Sequence, residues 1–185
     1  MVATHAALFE YTVTLDGPSE APANTSPGTG SGIVDYDSAG HTLHLAVSFS
    51  GLTGNVTASH IHAPTPTPLN GTAGVATTTP TFADFPSGVT SGTYDRIRDL
   101  TAASSYNPAF ITANGGTPAS AEAALAAALA GGEAYWNIHT SAFPGGEIRG
   151  FLVPTPEPST LALGALGAAG LAFNAWSRRS RGQKK

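Results

Sequence analysis

Cysteine is absent from the 185-residue chain, which excludes disulfides, thiolate metal sites and cysteine nucleophiles. It does not settle the compartment, because exported proteins can also lack it. Lysine occurs only as Lys184 and Lys185, and charged residues of all kinds make up 11% of the chain. Up to Val153, eleven carboxylates face three arginines, a net charge of −8, whereas five of the eight cationic residues follow residue 176. An acidic, lysine-free body repels nucleic acid and anionic surfaces, so neither is expected as its partner. The sequence also lacks a Gly-rich phosphate loop, a serine nucleophile elbow and a basic–aromatic nucleic-acid face. With no catalytic constellation, the body reads as non-enzymatic.

What is there points to β-structure. The chain has 22 Gly and 14 Pro with abundant Thr, Ser and Val, a composition of many short strands and loops. Its 41% apolar content is ordinary and excludes general disorder. The length suits one domain plus a tail, with a core that needs no cross-links.

Phe9, Tyr11, Val13 and Leu15 alternate with polar residues and predict a half-buried strand. Residues 17–32, rich in Pro, Gly, Ser and Thr, read as a long loop. Residues 32–36 and 42–50 predict a hairpin around Asp37–Gly40. Thr57–Ala63 predicts a strand, residues 74–78 and 88–94 weaker ones, and Pro64–Leu69 no central strand. Ser120–Ala130 predicts a helix, with Thr117 or Ser120 as N-cap, Pro118 in the first turn and Gly131-Gly132 as its stop. Residues 133–140 and 147–153 predict a second hairpin across Phe143-Pro144-Gly145-Gly146. The expected fold class is all-β: an antiparallel two-sheet sandwich with one short inserted helix, plus a C-terminal hydrophobic helix.

That last element belongs to a tail of different composition. Pro154-Thr155-Pro156-Glu157-Pro158 breaks the strand pattern, since proline removes donors and fixes φ. Leu161–Trp176 is nearly unbroken apolar and 16 residues long, and Arg178, Arg179, Arg181, Lys184 and Lys185 follow it. A span usually needs about 20 residues, but flanking arginines extend the reach by snorkelling. The positive-inside rule then puts the basic end in the cytoplasm and the body outside. The alternative is a C-terminal helix packed on the domain. Pro156-Glu157-Pro158, the apolar run and the basic stop of Arg178, Arg179 and Arg181, in that order at the C-terminus, resemble a PEP-CTERM sorting signal. The resemblance implies an exosortase-type sorting protease as partner, in the envelope of Gram-negative bacteria. It also implies cleavage near Pro156-Glu157-Pro158, transient inner-membrane anchoring and release or retention outside the cell. Such tails accompany an N-terminal signal peptide. Met1–Ala7 has no basic residue and no long apolar run, so a truncated or mis-assigned start is expected, with another export route as the alternative.

Three segments of the body resemble the chordin-type (CHRD) domain. They are Gly51-Leu52-Thr53-Gly54, Ala58-Ser59-His60-Ile61-His62-Ala63-Pro64, and Tyr135-Trp136-Asn137-Ile138-His139-Thr140 with Phe143–Gly150. Leu15-Asp16-Gly17 with Glu20 and Pro22 also fits. The resemblance spans about residues 8–153 and implies an immunoglobulin-like or superoxide-dismutase-like β-fold in an extracellular protein, with no settled activity. Trp136 departs from it, standing where the family usually has a smaller β-branched residue. The expected organisation is an N-terminal segment 1–7, a CHRD-like domain 8–153, a Pro-rich linker 154–160, a sorting helix 161–176 and a basic tail 177–185. The expected role is an exported surface or matrix module that binds extracellular polysaccharide or envelope proteins.

One constellation carries chemistry. His60 and His62, two apart on a predicted strand, face the same way. With His139 they form a candidate metal site for copper or zinc, with His44 or Glu147 as a fourth ligand. The spacing is similar to the His-x-His copper strand of superoxide dismutases, so weak redox activity accompanies this alternative. Otherwise the histidines are structural, bridging strands through carbonyls and hydroxyls. Asn137 shares the face of His139 and is a candidate to orient it, or a buried amide satisfying strand ends. Glu147 and Arg149 are expected to pair along one strand face. Asp35 and Asp37 lack the ordered loop of a Ca²⁺ site.

Overall fold

The computed structural model describes residues 8–156. The segment 1–7, Glu157, Pro158, the apolar run 161–176 and the basic stop at Arg178, Arg179 and Arg181 lie outside the described residues. The chain falls into two compact units, Met1–Pro154 and Thr155–Lys185.

The body is mostly β. In chain order it contains β1 (Leu8–Asp16), β2 (Thr29–Asp37), β3 (Thr42–Ser50), β4 (Val56–His62) and β5 (Gly92–Asp99). Helices α1 (Pro108–Ala113) and α2 (Pro118–Ala130) follow, then β6 (Tyr135–Thr140), β7 (Ile148–Phe151) and β8 (Val153–Pro154). Every pairing is antiparallel. The strands join as one eight-stranded sheet in the order β4-β6-β7-β1-β2-β3-β5, with β8 added to β1. One curled sheet therefore stands where two separate sheets were expected. Its halves meet at a single β1–β7 pair, Asp16 opposite Arg149. Beside that pair, Gly150 packs so tightly on β1 that an added Cβ would lie 1.9 Å from the Thr14 carbonyl oxygen.

Four local expectations are corrected. The Gly/Ser-rich segment expected to be loop up to residue 32 becomes strand from Thr29, and Gly30 and Gly32 pair with both neighbours. A Cβ on Gly32 would sit 2.3 Å from the Ala46 carbonyl oxygen, so glycine here serves close strand approach rather than a turn. Residues 74–78 form only isolated bridges, at His62–Val75 and Thr77–Tyr106. Pro154, expected to stop the sheet, pairs opposite Tyr11 in a two-residue strand, the kind of edge position that tolerates a missing donor. The weak strand expected at 88–94 lies instead at 92–99, fully registered against β3.

Alternation places one face of each strand in the core. Leu15, Val34, Leu45, Ile61, Trp136, Ile138, Ile148 and Leu152 are fully buried together. Helix α2 closes part of this core through Ala121, Leu125, Ala128 and Leu129. Its N-cap is Thr117, whose side chain accepts from the Ser120 amide in a capping box, with Pro118 in the first turn. Helix α1 was not foreseen, although Asn107 caps it in the ordinary way ahead of Pro108.

Trp136 is the largest fully buried side chain. Its Nε1 donates to Ser59 Oγ at 2.8 Å, and Ser59 Oγ donates in turn to the Asn137 carbonyl at 3.0 Å. Trp136→Phe removes both volume and a donor, and should cost about 1–3 kcal/mol in urea unfolding. An unchanged midpoint would show that the indole packs less tightly than described.

A candidate metal centre

The second face of β4, β6 and β7 is polar. Residues directly opposite in antiparallel pairs share a face. His60 lies opposite Asn137, which lies opposite Arg149; His62 lies opposite Tyr135, which lies opposite Phe151; and Ala58 lies opposite His139. The alternation that sends Ser59, Ile61, Trp136 and Ile138 into the core therefore collects all three histidines on the other side.

The expected trio does come together. One ring nitrogen from each of His60, His62 and His139 lies within 4.8 Å of the others. The His60 and His139 Nε2 atoms are 2.9 Å apart. The outer ring nitrogens are all committed to backbone carbonyls. His60 Nδ1 donates to Pro80 O at 3.3 Å, His62 Nδ1 to Ala73 O at 2.8 Å and His139 Nδ1 to Pro144 O at 2.9 Å. A carbonyl can only accept, so each Nδ1 carries the hydrogen and each Nε2 presents a bare lone pair. The Nε2 of His62 is buried and has no hydrogen-bond partner among the described residues. Two facing lone pairs at 2.9 Å repel unless a cation lies between them. Three nitrogens held about 2.0–2.1 Å from a tetrahedral ion stand roughly 3.3 Å apart, within the spread seen here.

Burial keeps the trio neutral. Desolvation, then the His62 and His139 charges, pushes the pKa of His60 down to about 3. Desolvation lowers His62 to about 4, and Arg149 also contributes there. His139 is lowered by burial too. Unfolded histidine titrates near 6.5, so below that value the unfolded chain takes up protons that the folded domain refuses. Stability contributed by these groups is therefore present above about pH 6.5 and is lost as pH falls toward 3. Thermal melts of metal-free protein should show the midpoint falling between pH 6.5 and 4, and His60→Gln/His62→Gln should flatten that slope.

Neither proposed fourth ligand joins the trio. His44 is held between Asp35 and Asp95, at 2.9 and 3.0 Å, on the β2–β3–β5 side of the sheet. Glu147 is fully buried and saturated by Ser26, Thr53, Gly54 and Thr140. It therefore does not pair with Arg149, whose nearest carboxylate is Glu20 at 4.0 Å. Asn137 does not orient His139, because the Pro144 carbonyl does; its Oδ1 is buried without a partner among the described residues. Asp35 and Asp37 are separated in use: Asp35 takes His44, and Asp37 caps the turn amides of Ala39 and Gly40. The period of two puts Tyr135 on the strand face of Asn137 and His139 but gives it no role; in the structure its ring stacks on His62 at 4.7 Å and 4°.

Comparison with known proteins yields two family matches. The CHRD domain matches residues 11–152, and the PEP-CTERM protein-sorting motif matches residues 154–179. No curated protein and no solved structure matches the chain. The sorting motif indicates export and sorting to the envelope by an exosortase. With three-quarters of its length inside one family match and a sorting motif directly behind it, this chain belongs to the CHRD domain family.

Proposed function

We propose that the exported CHRD domain is a non-catalytic surface module that holds one divalent metal ion through Nε2 of His60, His62 and His139. The observation that carries this reading is that one ring nitrogen from each histidine lies within 4.8 Å of the others, while every Nδ1 is held by a carbonyl behind its ring. Backbone or carboxylate partners on the far ring nitrogen are characteristic of metal-bound histidines. Three neutral imidazoles suit copper and zinc, and the general affinity order favours Cu²⁺.

Dialysis of the purified body against either ion, followed by metal analysis, tests this directly. One ion per chain is expected, with Cu²⁺ displacing Zn²⁺ in competition. Wild-type protein that retains no metal removes the reading and leaves the histidines structural.

The tail, on this proposal, anchors the precursor in the inner membrane through residues 161–176, with Arg178, Arg179 and Arg181 on the cytoplasmic side. Cleavage near Pro156-Glu157-Pro158 then frees the domain. Mass spectrometry of the mature protein should find a C-terminus in that motif; an intact tail on exported protein would overturn the assignment.

A further inference from the structure

Arg149 sits on the histidine face, one strand beyond Asn137, and is 6% exposed. Its guanidinium reaches several elements at once. Nε donates to the Ser19 carbonyl and Nη1 to the Gly71 carbonyl at 3.1 Å. The guanidinium carbon stands 4.7 Å over the Tyr135 ring and 5.8 Å over that of Phe151. Because β6 runs between β4 and β7, Tyr135 is sandwiched, with Arg149 on one side and His62 stacked on the other.

A second route leads from Arg149 to the same histidine. Gly71 O, held by Arg149, is two residues from Ala73 O, which accepts from His62 Nδ1 at 2.8 Å. The Tyr135 hydroxyl meets the Ala73 backbone as well, at 3.4 Å. The contacts close a ring: Arg149, Gly71, Ala73, His62, Tyr135 and back to Arg149.

From this ring we infer that Arg149 is a positioning residue for His62, acting through Tyr135 and the Gly71–Ala73 segment. The inference rests on the metal-centre reading given above. His62 Nε2 offers a lone pair only while its proton stays on Nδ1, and Ala73 O keeps it there. Ala73 is in place while its segment stays docked. That segment turns at Gly71 with φ of +87°, where the chain has wide freedom and the Arg149 bond supplies the tie. The stacked Tyr135 ring sets the tilt of the imidazole, and the guanidinium backs Tyr135. Lysine cannot substitute, because a point donor neither forks between Ser19 and Gly71 nor stacks flat on a ring.

The test compares Arg149→Lys with Ser26→Ala, which weakens the Glu147 cluster and touches no member of the ring. Cu²⁺ and Zn²⁺ affinities are measured by chelator competition, and histidine tautomers by long-range ¹H–¹⁵N spectra of metal-free protein. Arg149→Lys should still bind one ion, with affinity about 10- to 100-fold weaker, and His62 should shift from the single Nδ1–H form to a tautomer mixture. Ser26→Ala should melt earlier yet keep wild-type affinity and the wild-type His62 tautomer. Wild-type affinity and an unchanged tautomer in Arg149→Lys would overturn the inference, as would equal weakening in Ser26→Ala. If wild-type protein binds no metal, the metal-centre reading fails, while the His62 spectrum in Arg149→Lys still decides whether Arg149 positions the ring. Should Arg149→Lys not fold, Tyr135→Leu removes the stack and must move His62 and the affinity in the same direction; no change there overturns the inference.

Discussion

His62→Ala should weaken binding of Cu²⁺ or Zn²⁺ by about 100- to 1,000-fold while the domain stays folded. The magnitude follows from ligand number. Structural zinc sites with four ligands bind with about 10–16 kcal/mol, so one ligand carries roughly 3–4 kcal/mol, which is that range of affinity. The survival of the fold follows from what His62 does without metal. Its Nε2 has no partner among the described residues, so its removal strands nothing there. Ala73 O loses one donor but keeps the Tyr135 hydroxyl at 3.4 Å. Chelator competition gives the affinity, and far-ultraviolet circular dichroism checks the fold. A variant that binds as tightly as wild type would remove His62 from the ligand set.

Glu147→Ala is the most destabilising single change expected in the body. The carboxylate is fully buried and accepts from Ser26 Oγ at 2.6 Å, Thr53 N at 2.5 Å, Gly54 N at 3.1 Å and Thr140 Oγ1 at 2.6 Å. Its own backbone carbonyl accepts from Asn24. It therefore ties the segment before β2, the β3–β4 loop and the end of β6 to one point. Burial alone would raise its pKa, but the four donors outweigh burial and hold it below the ordinary carboxyl value. The alanine variant leaves two amides and two hydroxyls with no acceptor in a dry site. Hydrogen bonds to a charged group contribute about 1.5–3 kcal/mol each and do not add fully, so a net loss of about 4–5 kcal/mol is expected. That corresponds to about 10–20 °C in melting temperature for a domain of this size.

The pH behaviour of Glu147 has a definite sign. A carboxyl whose folded pKa is lowered stabilises above the unfolded value, near 4.3, and loses that contribution as pH falls through the lowered folded value. Wild-type protein should lose stability there more steeply than Glu147→Ala, which keeps only the acid dependence of the histidines and of Asp37 and Asp99. Equal acid slopes in the two proteins would show that the carboxylate is not ionised in the fold.

The contrast between these two sites shows what was readable beforehand. Thr42–Ser50 was legible as a strand because Leu43, Leu45, Val47 and Phe49 alternate without interruption, and it forms over those residues. His60 and His62 were legible as neighbours because a strand's period of two needs no tertiary information. Adding His139 needed only that its strand pair with theirs, and β6 does pair with β4. Thr29–Ser31 was not legible as strand, since glycine chosen for close packing reads the same as glycine chosen for a turn. Glu147 and Arg149 were paired by spacing, yet the first turns to Ser26, Thr53, Gly54 and Thr140 and the second to Ser19, Glu20 and Gly71. Partners far along the chain leave no trace in local periodicity.

By itself the sequence determined the β character, the acidic lysine-free body, the sorting motif behind it and the identity of three histidines that share a strand face. Those properties depend on composition and on neighbours within a few residues. Only the tertiary structure decided that one curled sheet forms, that His44 and Glu147 stand apart, and that Pro80, Ala73 and Pro144 hold the three rings. A backbone carbonyl is the same group in every residue, so no side chain announces which one will lie behind an imidazole. Its place is settled only when the loops that follow β4 and β6 fold back over the sheet.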